Sequence, residues 1–239
     1  KWNSVPSPKL LVFENVEIDV DKNTANIDVI FESGQRYKFG SVTFEQDILN
    51  DDLLQRFVPF ELGEGYTSQE LSNLQVALLD SGYFSQVQVS PRWNDSEEHH
   101  VPVDVKSTAN YRNQYQYGVG YGTDTGARVS ASLNRRWVNS EGHQLRGMTQ
   151  VSQIESRIGA NYIIPGKKPQ SDYYRFNAEV SDKDNEGQEN RLYKLGASSV
   201  VTMSKWRHEF GLSWQRDDFE IGETIGTSQF LIPQSSWNY

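Results

Sequence analysis

The chain has no cysteine among its 239 residues, which excludes a disulfide framework, a thiolate nucleophile and thiolate metal ligands. Cationic charge is also short. A formal net charge of −9, with no basic stripe carrying interleaved aromatics, argues against a nucleic-acid partner, whose phosphates such a surface repels. No stretch approaches the ~20 consecutive apolar residues of a membrane helix. Any crossing of a bilayer therefore has to be made by a closed sheet, the other architecture that satisfies its backbone groups in lipid. A mean hydropathy of −0.68 does not oppose this, because a barrel strand turns half of its residues away from lipid. Lys1 opens the chain without a charged and then apolar leader; a barrel requires export, so a removed signal peptide is the expectation.

Constellations that carry covalent chemistry are equally thin. Ser, His and Asp occur, but no Gly-x-Ser-x-Gly elbow accompanies them. Asp217, Asp218 and Glu220 cluster without a second group at catalytic spacing and read as a wet strand end. Glu97, Glu98, His99 and His100 mark a polar hairpin tip rather than a metal site, since adjacent strand residues point to opposite faces. The expectation is no enzyme activity, no metal and no cofactor.

What the chain does have is alternation. Tyr115, Tyr117, Val119 and Tyr121 share one side of a segment whose other side carries Gln114, Gln116, Gly118 and Gly120; a period of two is a strand. The pattern returns through Val129, Ala131 and Leu133, through Tyr174 to Val180, through Tyr193 to Met203 and through Trp206 to Trp214. Gly122-Thr-Asp-Thr-Gly126, Asn139-Ser-Glu-Gly142, Pro165-Gly-Lys-Lys-Pro169 and Asp182-Lys-Asp-Asn-Glu-Gly187 separate the runs as turns. About eight strands of roughly 9–13 residues follow, close to the ~9–11 of a tilted transmembrane strand and above the usual 5–6 of soluble sheets. Tyr115, Tyr117, Tyr121, Trp137, Tyr173, Tyr174, Trp206 and Trp214 are candidates for aromatic girdles, some of them filling a lumen instead.

Residues 1–110 follow other rules. Leu11–Val20 and Ala25–Phe31 alternate around Asp21-Lys-Asn-Thr24 and read as a hairpin. It has no helix of its own to pack on, so the chain is expected to start inside a domain. Arg36–Phe44 reads as a strand and Asp51–Phe57 as a short helix with acidic residues in its first turn. Thr67-Ser-Gln-Glu70 is a capping-box spacing that opens a longer helix, with Leu71, Leu74, Leu78 and Leu79 on one face and Gly82 as its stop. Phe84–Trp93 and Val101–Thr108 complete a β-α-α-β-β unit, most simply one sheet with two helices on one side.

That order, with Gly63-Glu-Gly-Tyr-Thr67 and Leu79-Asp-Ser-Gly-Tyr-Phe-Ser-Gln-Val87, resembles a POTRA domain. A POTRA domain followed directly by barrel strands is the layout of the outer-membrane assembly and secretion superfamily. Within it Tyr37–Phe44, Tyr117–Arg128 and Trp137–His143 are most similar to the TamA family, the outer-membrane subunit of the translocation and assembly module. The expected architecture is an α+β POTRA part followed by antiparallel transmembrane β-barrel strands, the barrel incomplete. Residues 1–33 would be the last hairpin of a preceding POTRA domain, 34–110 a complete membrane-proximal one, and 111–239 the N-terminal half of a barrel of about eight strands. Neither Arg-Gly-Tyr nor Arg-Gly-Phe, a loop motif of the family, occurs.

The resemblance also implies function. An assembly factor in the bacterial outer membrane, its POTRA part in the periplasm, would promote insertion and secretion of outer-membrane or autotransporter clients through a barrel seam. Its partners would be unfolded outer-membrane proteins, outer-membrane lipid and a TamB-like inner-membrane-anchored periplasmic protein. An unpaired strand edge templates incoming chains, which makes a seam useful. The candidate gate is the first barrel strand, with Tyr115, Tyr117, Gly118, Val119, Gly120, Tyr121 and Gly122; these glycines equally suit a crowded lumen. Phe84, Gln86, Gln88 and Ser90 are candidates for strand addition on the POTRA edge, against a plain role of the domain as spacer and dock. A two-partner secretion pore and a soluble β-rich periplasmic binding protein are the alternatives.

Overall fold

A computed structural model of the chain describes residues 12–19, 24–31, 36–123, 126–185 and 188–239. Strands β1 (Val12–Asp19) and β2 (Thr24–Phe31) form the antiparallel hairpin that the first two alternating runs predict, Val12 facing Phe31 and Asp19 facing Thr24. Residues 21–23 of its turn lie outside the described residues.

The β-α-α-β-β unit comprises β3 (Lys38–Glu45), α1 (Asp51–Gln55), α2 (Ser68–Asp80), β4 (Phe84–Pro91) and β5 (His100–Ala109). Central β5 runs parallel to β3 and antiparallel to β4. Both helices start where their caps dictate. The Asn50 side chain accepts from the Leu53 amide at 3.1 Å, and Thr67 Oγ1 accepts from the Glu70 amide at 3.3 Å. The Glu70 carboxylate accepts from the Asn73 side chain at 3.2 Å. Leu71, Leu74 and Leu78 are buried together with Phe39, Leu53, Leu54, Phe57 and Val105 in one core. Leu79, expected on that stripe, is 37% exposed, because a helix turns about 100° between neighbours and Leu78 already faces the sheet. The strand expected to reach Trp93 ends at Pro91, and a 3₁₀ turn over Trp93–Asp95 follows.

The remaining eight strands form one antiparallel meander: β6 (Asn113–Gly122), β7 (Gly126–Arg135), β8 (Gln144–Ser152), β9 (Glu155–Pro165), β10 (Tyr173–Asn185), β11 (Gln188–Met203), β12 (Trp206–Ile221) and β13 (Thr224–Asn238). The register carries the alternation from strand to strand, for example Tyr117 to Ala131 to Thr149 to Ile158 to Val180 to Tyr193. One face is therefore mainly aromatic and aliphatic, with Thr149 and Ser199 among its rows. The other carries ion pairs such as Arg157 with Glu179 at 3.6 Å and Arg175 with Glu209 at 3.5 Å. Strands β11 and β12 reach 16 residues, longer than expected. Beyond the apolar rows, pairing continues through polar side chains: Arg191 holds Asp182 at 2.6 Å, and Asp218 accepts from Arg216 at 3.0 Å and Thr227 at 2.7 Å. Strands β6 and β13 lie at opposite edges and do not pair, so the sheet is open among the described residues. Among those residues no helix is long and apolar enough to cross a membrane, which does not bear on crossing by strands.

Candidate functional site

Two strand edges and one junction define the candidate site. The first edge is β6, paired among the described residues with β7 alone. Tyr115, Tyr117, Val119 and Tyr121 stand out from it on the apolar face, Val119 88% exposed. Gly118 and Gly120 lie opposite Ser130 and Arg128 on the polar face. A Cβ at Gly118 would stand 2.7 Å from Ser130 Oγ, a hydroxyl free to rotate, and one at Gly120 would meet the Arg128 guanidinium no closer than 3.6 Å. Gly122 closes the strand opposite Gly126.

The second edge is β4. The register shift between Phe84 and Gln86 puts a bulge at Ser85. Phe84, grouped by strict alternation with Gln86, Gln88 and Ser90, consequently turns into the core with Val87, leaving Gln86 and Gln88 exposed and Ser90 half-buried. The opposite edge of that sheet, β3, is occupied: the Phe39 amide donates to the Glu64 carbonyl at 2.8 Å, and the Gly63 amide donates to the Phe39 carbonyl at 2.9 Å.

The junction was not legible as a site. The β7–β8 turn inserts Trp137, 9% exposed, into the core of the β-α-α-β-β unit. Trp137 thus leaves the expected girdle, and Tyr173 leaves it too, its hydroxyl accepting from Arg175 at 2.6 Å and Arg207 at 2.8 Å on the polar face. Around Trp137 the backbones are stitched together. The Asn50 amide donates to the Ser140 carbonyl at 2.9 Å, and the Tyr83 hydroxyl donates to the Gly142 carbonyl at 2.6 Å. Gly142 has φ +73°, and a Cβ there would collide with Leu53, so both its conformation and its closeness demand glycine. Burial pushes the Tyr83 phenol above its ordinary pKa, against a hydrogen bond to Gln144 and the charge of Arg56. A second turn joins in: Arg56 donates to the Gly166 carbonyl at 2.7 Å and Gln170 donates to the Phe57 carbonyl at 3.2 Å. Beside these contacts a cleft of about 890 Å³ separates α2 from the polar face, bordered by Asn73, Val76, Arg146 and Arg175. The signal for the junction was an aromatic inside a turn, where no strand partner accounts for it.

Among the described residues no group of three or more His, Cys, Asp and Glu side chains is arranged to hold a metal. His99 lies against Tyr37 with ring centroids 5.7 Å apart, and His100 begins β5. Asp217 and Asp218 engage Gln215 and Arg216 respectively.

Comparison with known proteins follows the same division. The POTRA family, described as a surface antigen variable number repeat, matches residues 37–108. BamA from Haemophilus ducreyi lacking POTRA domains 1–3 superposes with a TM-score of 0.71 at 17% identity, over 96% of this chain and 48% of that one. CdiB from Escherichia coli gives 0.58 at 14% identity, and CdiB from Acinetobacter baumannii 0.53 at 13%, each over 95% of this chain and 45% of the other. The chain spans about half the length of these solved structures. It has the fold of a POTRA domain followed by part of a BamA- and CdiB-like β-barrel, eight antiparallel strands of it being present here.

Proposed function

We propose that this chain is part of an outer-membrane insertion or secretion factor, with the POTRA domain in the periplasm and the eight-stranded sheet in the membrane. The observation that carries the reading is an edge strand, β6, that follows the POTRA domain directly, pairs with β7 on one side and, among the described residues, leaves its other side open at the margin of a two-faced sheet. In lipid its free N–H and C=O groups are costly, so a client strand that pairs with them is favoured over an open gap. The chain then gains client contacts by main-chain pairing and needs no covalent step. In finer detail, the reading is of a TamA-type factor acting on outer-membrane or autotransporter clients, with β4 or the POTRA surface docking a client or a TamB-like partner. Residues 1–33 would end a preceding POTRA domain.

The test is reconstitution of the intact protein in liposomes, with folding of a urea-unfolded outer-membrane protein followed by its heat-modifiable mobility. Folding several-fold faster than in protein-free liposomes is expected. Equal rates would overturn the reading.

A further inference from the structure

We propose that Trp137, Arg112 and Tyr83 are positioning residues that tie the foot of β6 to the POTRA domain, so that the domain's orientation sets the geometry of the edge strand. The inference rests on the reading of β6 as the working edge and adds its regulation.

Three residues, 110–112, separate β5 from β6, and they are held from both sides. The Asn110 amide donates to the Tyr83 carbonyl at 2.8 Å, and its side chain donates to the Gly82 carbonyl at 3.2 Å. The Arg112 guanidinium donates from Nε to the Trp137 carbonyl at 3.0 Å and from Nη2 to the Val138 carbonyl at 2.7 Å. The Arg136 amide returns a bond to the Arg112 carbonyl at 2.9 Å. A planar guanidinium engaging two successive carbonyls has its orientation fixed as well as its position. The turn it grips is itself pinned into the POTRA core by the Trp137 ring and by the Tyr83 bond to Gly142. The contacts close a circuit: POTRA domain to linker, linker to turn, turn back to POTRA domain.

The other end of β6 contrasts with this. Gly120 and Gly122 bring no side chain to it, and among the described residues no hydrogen bond outside the β7 ladder reaches residues 118–122. Beyond its ladder to β7, β6 is therefore anchored at one end among the described residues. An edge held in this way opens from its far end, and a rotation of the POTRA domain reaches its foot by two routes, directly through Asn110 and through the docked β7–β8 turn that Arg112 grips.

Hydrogen exchange of the intact protein in lipid nanodiscs tests the roles, together with the client-folding assay. Trp137→Ala and Arg112→Gln are each expected to speed exchange of amides 113–117 by about tenfold or more, with β9 and β10 unchanged, Trp137→Phe restoring protection and client folding slowed in parallel. Unchanged exchange at 113–117 overturns the proposal, as does a uniform rise across the sheet, which marks general destabilisation. Faster exchange with client folding at the parental rate overturns the regulatory role. Should Trp137→Ala fail to fold, Arg112→Gln alone decides, because that side chain lies outside the core. An inactive parent protein would instead refute the assembly reading, while the exchange pattern would still decide the anchoring roles.

Discussion

Tyr83 carries a ring and a hydroxyl into the joint between two units, and both are used. The ring is 2% exposed within the POTRA core, edge-on to Phe57 with centroids 6.5 Å apart. The hydroxyl satisfies the Gly142 carbonyl. Tyr83→Phe keeps the ring and orphans that carbonyl, so a loss of about 1–3 kcal/mol is expected in urea unfolding of the intact protein. The raised phenol pKa adds a pH signature. Between the unfolded value near 10 and the higher folded value, the folded state holds a proton that the unfolded state has released, so stability falls as pH rises through that window. Below about pH 10 the contribution is fully present. Tyr66, also raised by burial, contributes in the same direction. Unfolding midpoints between neutral and alkaline pH are therefore expected to drop less steeply in Tyr83→Phe than in the parent; parallel profiles would show that the phenol does not titrate with the joint.

At the scale of elements, β6 poses the sharpest question: whether its glycines serve the sheet or the edge. The space around them answers half of it. Because a Cβ at Gly120 meets only ordinary contacts with Arg128, the β6–β7 ladder does not itself require glycine there. Gly120→Ala is expected to change stability by less than about 1 kcal/mol while slowing client folding several-fold, if close backbone approach by a client is what the glycine permits. Client folding at the parental rate would return the glycines to lumen packing. The strands themselves were legible because a period of two survives any register. Their lengths were not, since polar pairs such as Asp182 with Arg191 extend β10 and β11 past the apolar rows. The bulge at Ser85 was equally hidden. An extra residue leaves no mark in Phe84-Ser-Gln-Val87, yet it moves Phe84 from the row of Gln86 to the core. Capping was the opposite case, as Thr67 names its own partner three residues on. Trp137 was misread because alternation assigns faces within strands and does not reach a turn that docks on another unit.

For the molecule as a whole, the two faces of the sheet decide which solvent each one meets. The apolar rows on β12 run from Trp206 to Trp214, a span within the ~9–11 residues of a tilted transmembrane strand and with an aromatic at each end, as girdles require. Neighbouring residues in the middle of β7 separate the alternatives. Ala131 lies in register with Tyr117 and Thr149 on the apolar face, whereas Ser132 lies with Gln116 and Met148 on the other. If the apolar face meets lipid, Ala131→Arg places a cation near mid-bilayer at about 2–4 kcal/mol, and Ser132→Arg directs the same group into the polar interior. Folding yields in liposomes, read by heat-modifiable mobility, are expected to fall for the first and stay near parental for the second. A sheet facing water on both sides would tolerate the two substitutions alike, because an arginine on a wet surface has no desolvation to overcome. Equal yields would therefore remove the membrane from the proposed function and with it the cost of the open side of β6, the force that draws a client to the edge.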